Sequence, residues 1–180
     1  MPVTNNITPE LQRIKSELIK LSGMSITVGV QGDEDSELLK IARVHEYGCE
    51  IKMTDKMRRF MGAKGFFDDY KNYSPPPGKV KGVVKIPERS FIRAGFKASQ
   101  DRLREIIRVA VSHVIKDKWT AQQAADSVGA QALQAVRDYF NTQLKPPKSA
   151  VTQKFSTQYQ PLYDSGRLFN SITYKVESGG

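Results

Sequence analysis

His45, Glu46 and Cys49 are the side chains whose types and close spacing best suit metal binding or nucleophilic chemistry. A closed zinc site usually needs four such ligands, and the only other histidine is His113. A cysteine nucleophile also needs a base and an orienting group, and the neighbouring sequence specifies neither. We therefore predict no metal, cofactor or catalytic residue, and interpret His45 as a partly buried, hydrogen-bonded helix residue.

Other short motifs are explained by turns and helix caps. Residues 164–167 (Asp-Ser-Gly-Arg) place a serine beside an acid, but they lack the Gly-x-Ser-x-Gly elbow of hydrolases. Gly62 and Gly65 are too sparse for a phosphate-binding loop. The adjacent acids at 33–35 point in different directions and fit a helix start better than a nuclease metal site. The sequence predicts a protein that is not an enzyme.

A basic and aromatic stretch is the strongest sign of a binding function. Residues 52–97 hold twelve basic and four acidic side chains, a local charge of +8 within a total of +9. Such a mixture suits single-stranded nucleic acid or a protein interface, and a solvated surface is the simpler alternative. The paired Phe66 and Phe67 favour the interface. The predicted interface residues are Arg58, Arg59, Phe60, Phe66, Phe67 and Tyr70, and the predicted DNA-facing residues are Lys79, Lys81 and Lys85.

Length and composition favour one domain spanning residues 1–180, because 180 residues are too few for two well-buried cores. The proline-containing stretches at about 62–85 and 145–161 are predicted to be flexible insertions. One cysteine and no signal-like opening segment predict synthesis in the cytoplasm. No apolar run approaches the roughly 20 residues that span a bilayer, so no membrane role is expected.

Hydrophobic periodicity predicts an α+β fold, with a small, mostly antiparallel sheet packed against a long helix and with long extended loops. Thr8 and Pro9 suit a helix start, and Gly23 suits its end. Alternation predicts strands in 26–30 and 172–176. Further predicted elements are a helix over 38–45 ending at Gly48, a helical turn after Thr54, a strand over 83–86 ended by Pro87, and either two helices or one kinked helix over 103–139.

Three segments, in this order, resemble the tail-completion and head-to-tail joining proteins of tailed bacteriophages and prophages. They are 41–48 (Ile-Ala-Arg-Val-His-Glu-Tyr-Gly), 86–93 (Ile-Pro-Glu-Arg-Ser-Phe-Ile-Arg) and 162–172 (Leu-Tyr-Asp-Ser-Gly-Arg-Leu-Phe-Asn-Ser-Ile). They are similar to that family's helix-ending corner, its strand-to-helix joint and its closing turn before a strand. Gly48, Pro87 and Asp164 fit scaffold roles there.

The resemblance implies a structural virion protein that completes the tail or joins it to the head as a ring of about six copies. Its implied partners are itself, the tail tube, and tail-terminator or head-closure and neck proteins, with genomic DNA contacted only through non-specific charge. It would be assembled in the bacterial host cytoplasm and reside in the virion. The alternative is a non-specific nucleic-acid-binding module.

Overall fold

The structure is a computed structural model, which describes residues 8–31, 36–63, 82–142, 144–148, 153, 156, 160–163 and 165–178. Seven helices and four strands are defined within these residues. In chain order they are α1 (Pro9–Ser22), β1 (Met24–Val30), α2 (Ser36–Tyr47), β2 (Cys49–Lys52), α3 (Asp55–Ala63), β3 (Val83–Ile86), α4 (Ile92–Ala98), α5 (Gln100–Ile115), α6 (Ala121–Phe140), α7 (Arg167–Asn170) and β4 (Ile172–Ser178).

A two-stranded antiparallel sheet packs on the longest helix, which confirms the predicted α+β class. Strands β1 and β4 pair from Met24 opposite Ser178 to Val30 opposite Ile172, and both contact α6. Strand β1 alternates between half-buried and exposed residues over its first half, as expected for a strand that packs one face on the core.

The main core lies where α6 meets β4 and the start of α4. Phe91, Phe140 and Ile172 have no exposed surface there. The rings of Phe91 and Phe140 meet edge to face, with centroids 5.2 Å apart. This is the arrangement that the charge distribution of aromatic rings favours.

A second core joins α1, α5 and α6, centred on Ala110, Val114 and Ala124. The helices α5 and α6 are separate, which resolves the alternative left open by the sequence. Asp117 adopts a left-handed conformation (φ 57°) between them. Thr120 then starts α6 with a capping box, in which its side chain and that of Gln123 satisfy each other's main-chain N–H groups.

The predicted start of α1 is confirmed, since the Thr8 hydroxyl accepts the N–H of Leu11 at 3.3 Å. Gly23 ends the helix as predicted. The carboxylate of Glu17 reaches across to accept the N–H of Ala121 at 2.7 Å, which ties α1 to the first residue of α6.

Strands β2 and β3 form a separate antiparallel ribbon, with Cys49 opposite Ile86 and Lys52 opposite Val83. Strand β2 was not predicted, and residues 83–85 at the end of the first predicted insertion belong to β3. Within the described residues, neither strand packs extensively on any element other than its partner. The ribbon is therefore attached to the body mainly through the residues at its ends.

Some predictions lie outside the described residues. They concern the acids at 33–35, most of both predicted insertions (62–85 and 145–161), and the predicted capping role of Asp164. Among the helices that the structure describes, none is long and apolar enough to cross a membrane.

Candidate functional site: a motif junction beside a cleft

Glu46 joins the first two motif segments. Its carboxylate, on the last turn of α2, is buried with 4% of the residue exposed. It accepts the main-chain N–H groups of Phe91, Ile92 and Arg93 at 2.9, 3.0 and 2.9 Å, and the hydroxyl of Ser90 at 2.6 Å. These N–H groups belong to the first turn of α4, where no intrahelical acceptor exists. Glu46 is therefore the N-terminal cap of α4, supplied from another helix.

Arg93 closes the same junction from the solvent side. Its Nε donates to the Glu46 carboxylate at 3.1 Å, and an Nη donates to the Glu46 carbonyl at 2.8 Å. The same Nη donates to Glu88 at 2.8 Å, and the guanidinium lies 4.5 Å from the centre of the Tyr47 ring. The buried carboxylate thus has a positive partner that remains half exposed.

Gly48 makes the sharp corner between α2 and β2. Its φ of +69° is left-handed, as predicted for the end of this helix. A Cβ at this position would lie 2.9 Å from the Glu88 nitrogen and 3.0 Å from the Ile86 oxygen. Both the conformation and the close approach of the second segment therefore favour glycine here.

Arg89 connects the second segment to the loop after α6. It is buried, with 8% exposed. Its N–H donates to the His45 carbonyl at 2.7 Å, and its guanidinium donates to the carbonyls of Pro146 and Pro147 at 2.7 and 3.0 Å. Burial lowers the pKa of the Arg89 guanidinium. Among the described residues, no carboxylate lies within ion-pair distance of it.

The third motif segment packs against the same region. Leu168 on α7 is buried in the main core together with Ala42 of α2. The Ser171 hydroxyl donates to the Leu168 carbonyl at 2.8 Å, which closes the turn before β4. Gly166 precedes α7 in a left-handed conformation (φ 78°) and offers no side-chain cap. All three motifs thus meet around α2.

A cleft of about 900 Å³ opens beside this junction, a volume near the top of the range for ligand sites. Its described lining carries four cationic side chains, Lys85, Arg89, Lys148 and Arg167, and one carboxylate, Glu37. Most of the remaining lining is apolar. All three motifs contribute to the walls. The first supplies Ile41 and His45, and the second supplies Ile86, Pro87 and Arg89. The third supplies Leu162, Tyr163, Ser165, Gly166, Arg167 and Leu168.

His45 lines this cleft and is half-buried, as predicted. Its Nδ1 atom is buried and has no hydrogen-bond partner among the described residues, so the predicted side-chain hydrogen bond is not found at that atom. Burial, and then the nearby charge of Arg89, lower the pKa of His45. The imidazole is therefore held neutral near pH 7.

The predicted binding residues are divided between described and undescribed parts of the chain. Lys85 is exposed on β3 and pairs with Glu50 on β2 at 2.8 Å. On α3, Arg58 is half-buried, Arg59 is exposed, and Phe60 is 61% exposed. The remaining predicted residues, Phe66, Phe67, Tyr70, Lys79 and Lys81, lie outside the described residues.

In the part of the chain that the structure describes, no group of three or more His, Cys, Asp or Glu side chains is arranged so that it could hold a metal ion. The carboxylate of Glu46, considered above as a possible ligand, instead accepts hydrogen bonds from the first N–H groups of α4. Cys49 is a half-buried residue of β2.

Sequence reasoning did not identify the roles of Glu46, Ser90 and Arg89. The signal available was the Ser90-Phe91 pair before an apolar helical turn that lacks an acid of its own. The first N–H groups of a helix can be satisfied by a local side chain, by water or by a distant group, so this signal alone does not identify Glu46.

Comparison of the chain with protein-family models found no match, and comparisons with curated proteins and with solved structures found none either. The resemblance to the phage family therefore rests on the three motif segments.

Proposed function

We propose that this chain is a structural virion protein that completes a phage tail or joins tail to head, acting as a non-enzymatic subunit of a ring. The observation that carries the proposal is the convergence of the three motif segments around α2. Their polar residues hold α4, the β2–β3 ribbon and the loop at 145–148 in fixed positions. Such roles are typical of a structural protein, in which the motif residues maintain the fold and the surfaces bind partners.

Two surfaces suit contacts between ring subunits. The β2–β3 ribbon extends with little packing from the body and carries Ile51 and Val83 at 37% and 48% exposure. Beside the second core, helices α1 and α5 carry three apolar side chains that are more than half exposed: Leu11, Ile19 and Ile115. Exposed apolar groups of this kind mark interaction surfaces, and a head-to-tail contact closes into a ring when its rotation allows.

Electron microscopy and light scattering of the protein mixed with tail-tube, tail-terminator or head-closure proteins encoded beside it test this proposal. We expect closed rings in at least one mixture. The variant I19E should reduce ring formation while leaving the monomer folded, because Ile19 is 61% exposed. Q131E is the matched control, because it adds the same charge to a neutral, exposed residue on another helix, α6. A persistent monomer without affinity for any of these proteins would exclude the connector function.

A second candidate function, non-specific nucleic-acid binding, is favoured by the charge on the ribbon and α3. Lys52, Lys56, Arg59 and Lys85 are all exposed there. Such a surface contacts phosphates without reading bases. The ion pair between Lys85 and Glu50 reduces the field that this surface presents.

A further inference from the structure

We infer that the cleft beside the motif junction is a docking site for an extended peptide segment of another protein, with a carboxylate side chain seated on Arg89. The inference rests on the cleft itself and holds whether or not the chain belongs to a virion connector. Its basis is a buried cation with no carboxylate in reach among the described residues, an apolar lining around that cation, and a strand edge that the same residues leave unpaired.

The first argument is the charge of Arg89. A buried charge is costly unless it is paired and hydrogen-bonded. Two hydrogen bonds to proline carbonyls, one from Nε and one from an Nη, use only part of a guanidinium that can donate five. Because Arg89 lines the cleft, a carboxylate entering the cleft would complete its coordination.

The second argument is the complementarity of the lining. Among the described lining residues, Arg89 has no carboxylate within ion-pair distance, whereas Lys85 is already paired with Glu50 at 2.8 Å. A negatively charged side chain that enters the cleft would therefore be attracted mainly to Arg89. The walls between these charges are formed by Leu38, Ile41, Pro87 and other apolar groups. An occupant that alternates carboxylate and apolar side chains therefore matches the lining better than a simple anion does.

The third argument is the main chain of β3, three residues of which (Val84, Lys85 and Ile86) line the cleft. The N–H of Met53 donates to the carbonyl of Gly82 at 2.8 Å. Alternation along an antiparallel ladder then directs the N–H and C=O of Lys85 away from β2. Within the described residues no strand pairs with this edge. An extended peptide can add to such an edge through main-chain hydrogen bonds.

The probe for this inference is the peptide acetyl-Ser-Val-Glu-Val-Glu-Val-Ser-amide, titrated into ¹⁵N-labelled full-length protein. We expect amide shifts at Leu38, Ile86 and Leu168, around the cleft, and none at Ile26 or Val128, in the groove between α1, α5 and α6. The same peptide with glutamine in place of glutamate should bind roughly tenfold more weakly or worse, as expected for the loss of a hydrogen bond to a charged group.

Two arginine variants distinguish binding of the carboxylate at Arg89 from non-specific attraction to positive charge. R89Q should weaken binding of the glutamate peptide by roughly tenfold or more. R104Q, which removes an exposed arginine paired with Asp101 on α5, should leave binding unchanged. If R89Q does not fold, the comparison of the two peptides on the unmodified protein still decides the question.

Four results would overturn the inference. Three of them are no binding at millimolar peptide, equal binding of the glutamate and glutamine peptides, and shifts confined to residues outside the cleft. The fourth is a change in the cleft resonances on dilution of the protein alone, because it would identify a second copy of the chain as the occupant.

Discussion

Replacement of Glu46 by glutamine should destabilise the protein far more than its small change in shape suggests. One carboxylate oxygen accepts the N–H groups of Phe91 and Ile92, and the other accepts Ser90 and two donors of Arg93. A glutamine side chain keeps only one oxygen. Whichever oxygen remains, at least two donors then face an NH₂ group that cannot accept a hydrogen bond.

The size of the effect follows from these contacts. A hydrogen bond to a charged group contributes about 1.5–3 kcal/mol, so the loss of two predicts about 3–6 kcal/mol. Removing one partner of a buried pair costs about 3–5 kcal/mol, and we take this narrower range. We add nothing for the ion pair with Arg93, because its side chain is 51% exposed and solvent screens it. For a chain of this size the loss corresponds to a Tm lower by roughly 6–20 °C.

Urea unfolding, followed by circular dichroism and by the fluorescence of Trp119, measures this loss. E105Q is the matched control, since Glu105 is exposed on α5 and pairs only with Arg108 within the described residues; its cost should stay within about 0.5 kcal/mol. The double variant E46Q/S90A should show a coupling of about 0.5–3 kcal/mol. A cost for E46Q below about 1 kcal/mol would refute the view that this carboxylate holds α4.

Three further predictions concern the same region of the chain. G48A should lower the free energy of unfolding by about 2 kcal/mol or more in urea titrations, because the left-handed conformation costs about 1–2 kcal/mol and the added Cβ overlaps main-chain atoms; G23A, at a right-handed glycine, is the control. The pKa of His45 is lowered in the folded state, so the free energy of unfolding should be highest above the unfolded pKa of about 6.5 and should fall as the pH drops below it. In H45Q, unfolding midpoints measured between pH 7.5 and 5.5 should depend less on pH. Removing the charges of Lys79, Lys81 and Lys85 together should flatten the salt dependence of duplex binding in filter assays, and strong discrimination between two unrelated duplexes would instead favour sequence-specific recognition.

Elements whose signals are local could be predicted from the sequence. Thr8 and Pro9 specify the start of α1 within one turn, and the alternation from Ile26 to Val30 specifies β1. The same holds for β4, because its apolar residues at 172, 174 and 176 alternate without interruption. In each case the residues that determine the element lie within it or next to it.

Elements stabilised by distant residues could not be predicted in this way. Helix α4 has no side-chain cap of its own, and its first N–H groups are satisfied by Glu46, which lies 45 to 47 residues earlier. Strand β2 has only four residues, two of them charged, so its alternation is too short to be distinguished from a loop. The cleft likewise depends on long-range contacts, since Arg89 reaches carbonyls 57 and 58 residues away.

The position of the β2–β3 ribbon depends on this same junction. Within the described residues the ribbon has no extensive packing on any other element, and a two-stranded ribbon is only marginally stable alone. One strand leaves the body at Gly48 and the other returns at Pro87, on either side of the bond from the Arg89 N–H to the His45 carbonyl. Glu46 and Arg93 clamp these two ends together, so they fix the direction in which the ribbon projects. In the ring that we propose, the buried Glu46 would therefore affect subunit contacts indirectly, by orienting the ribbon.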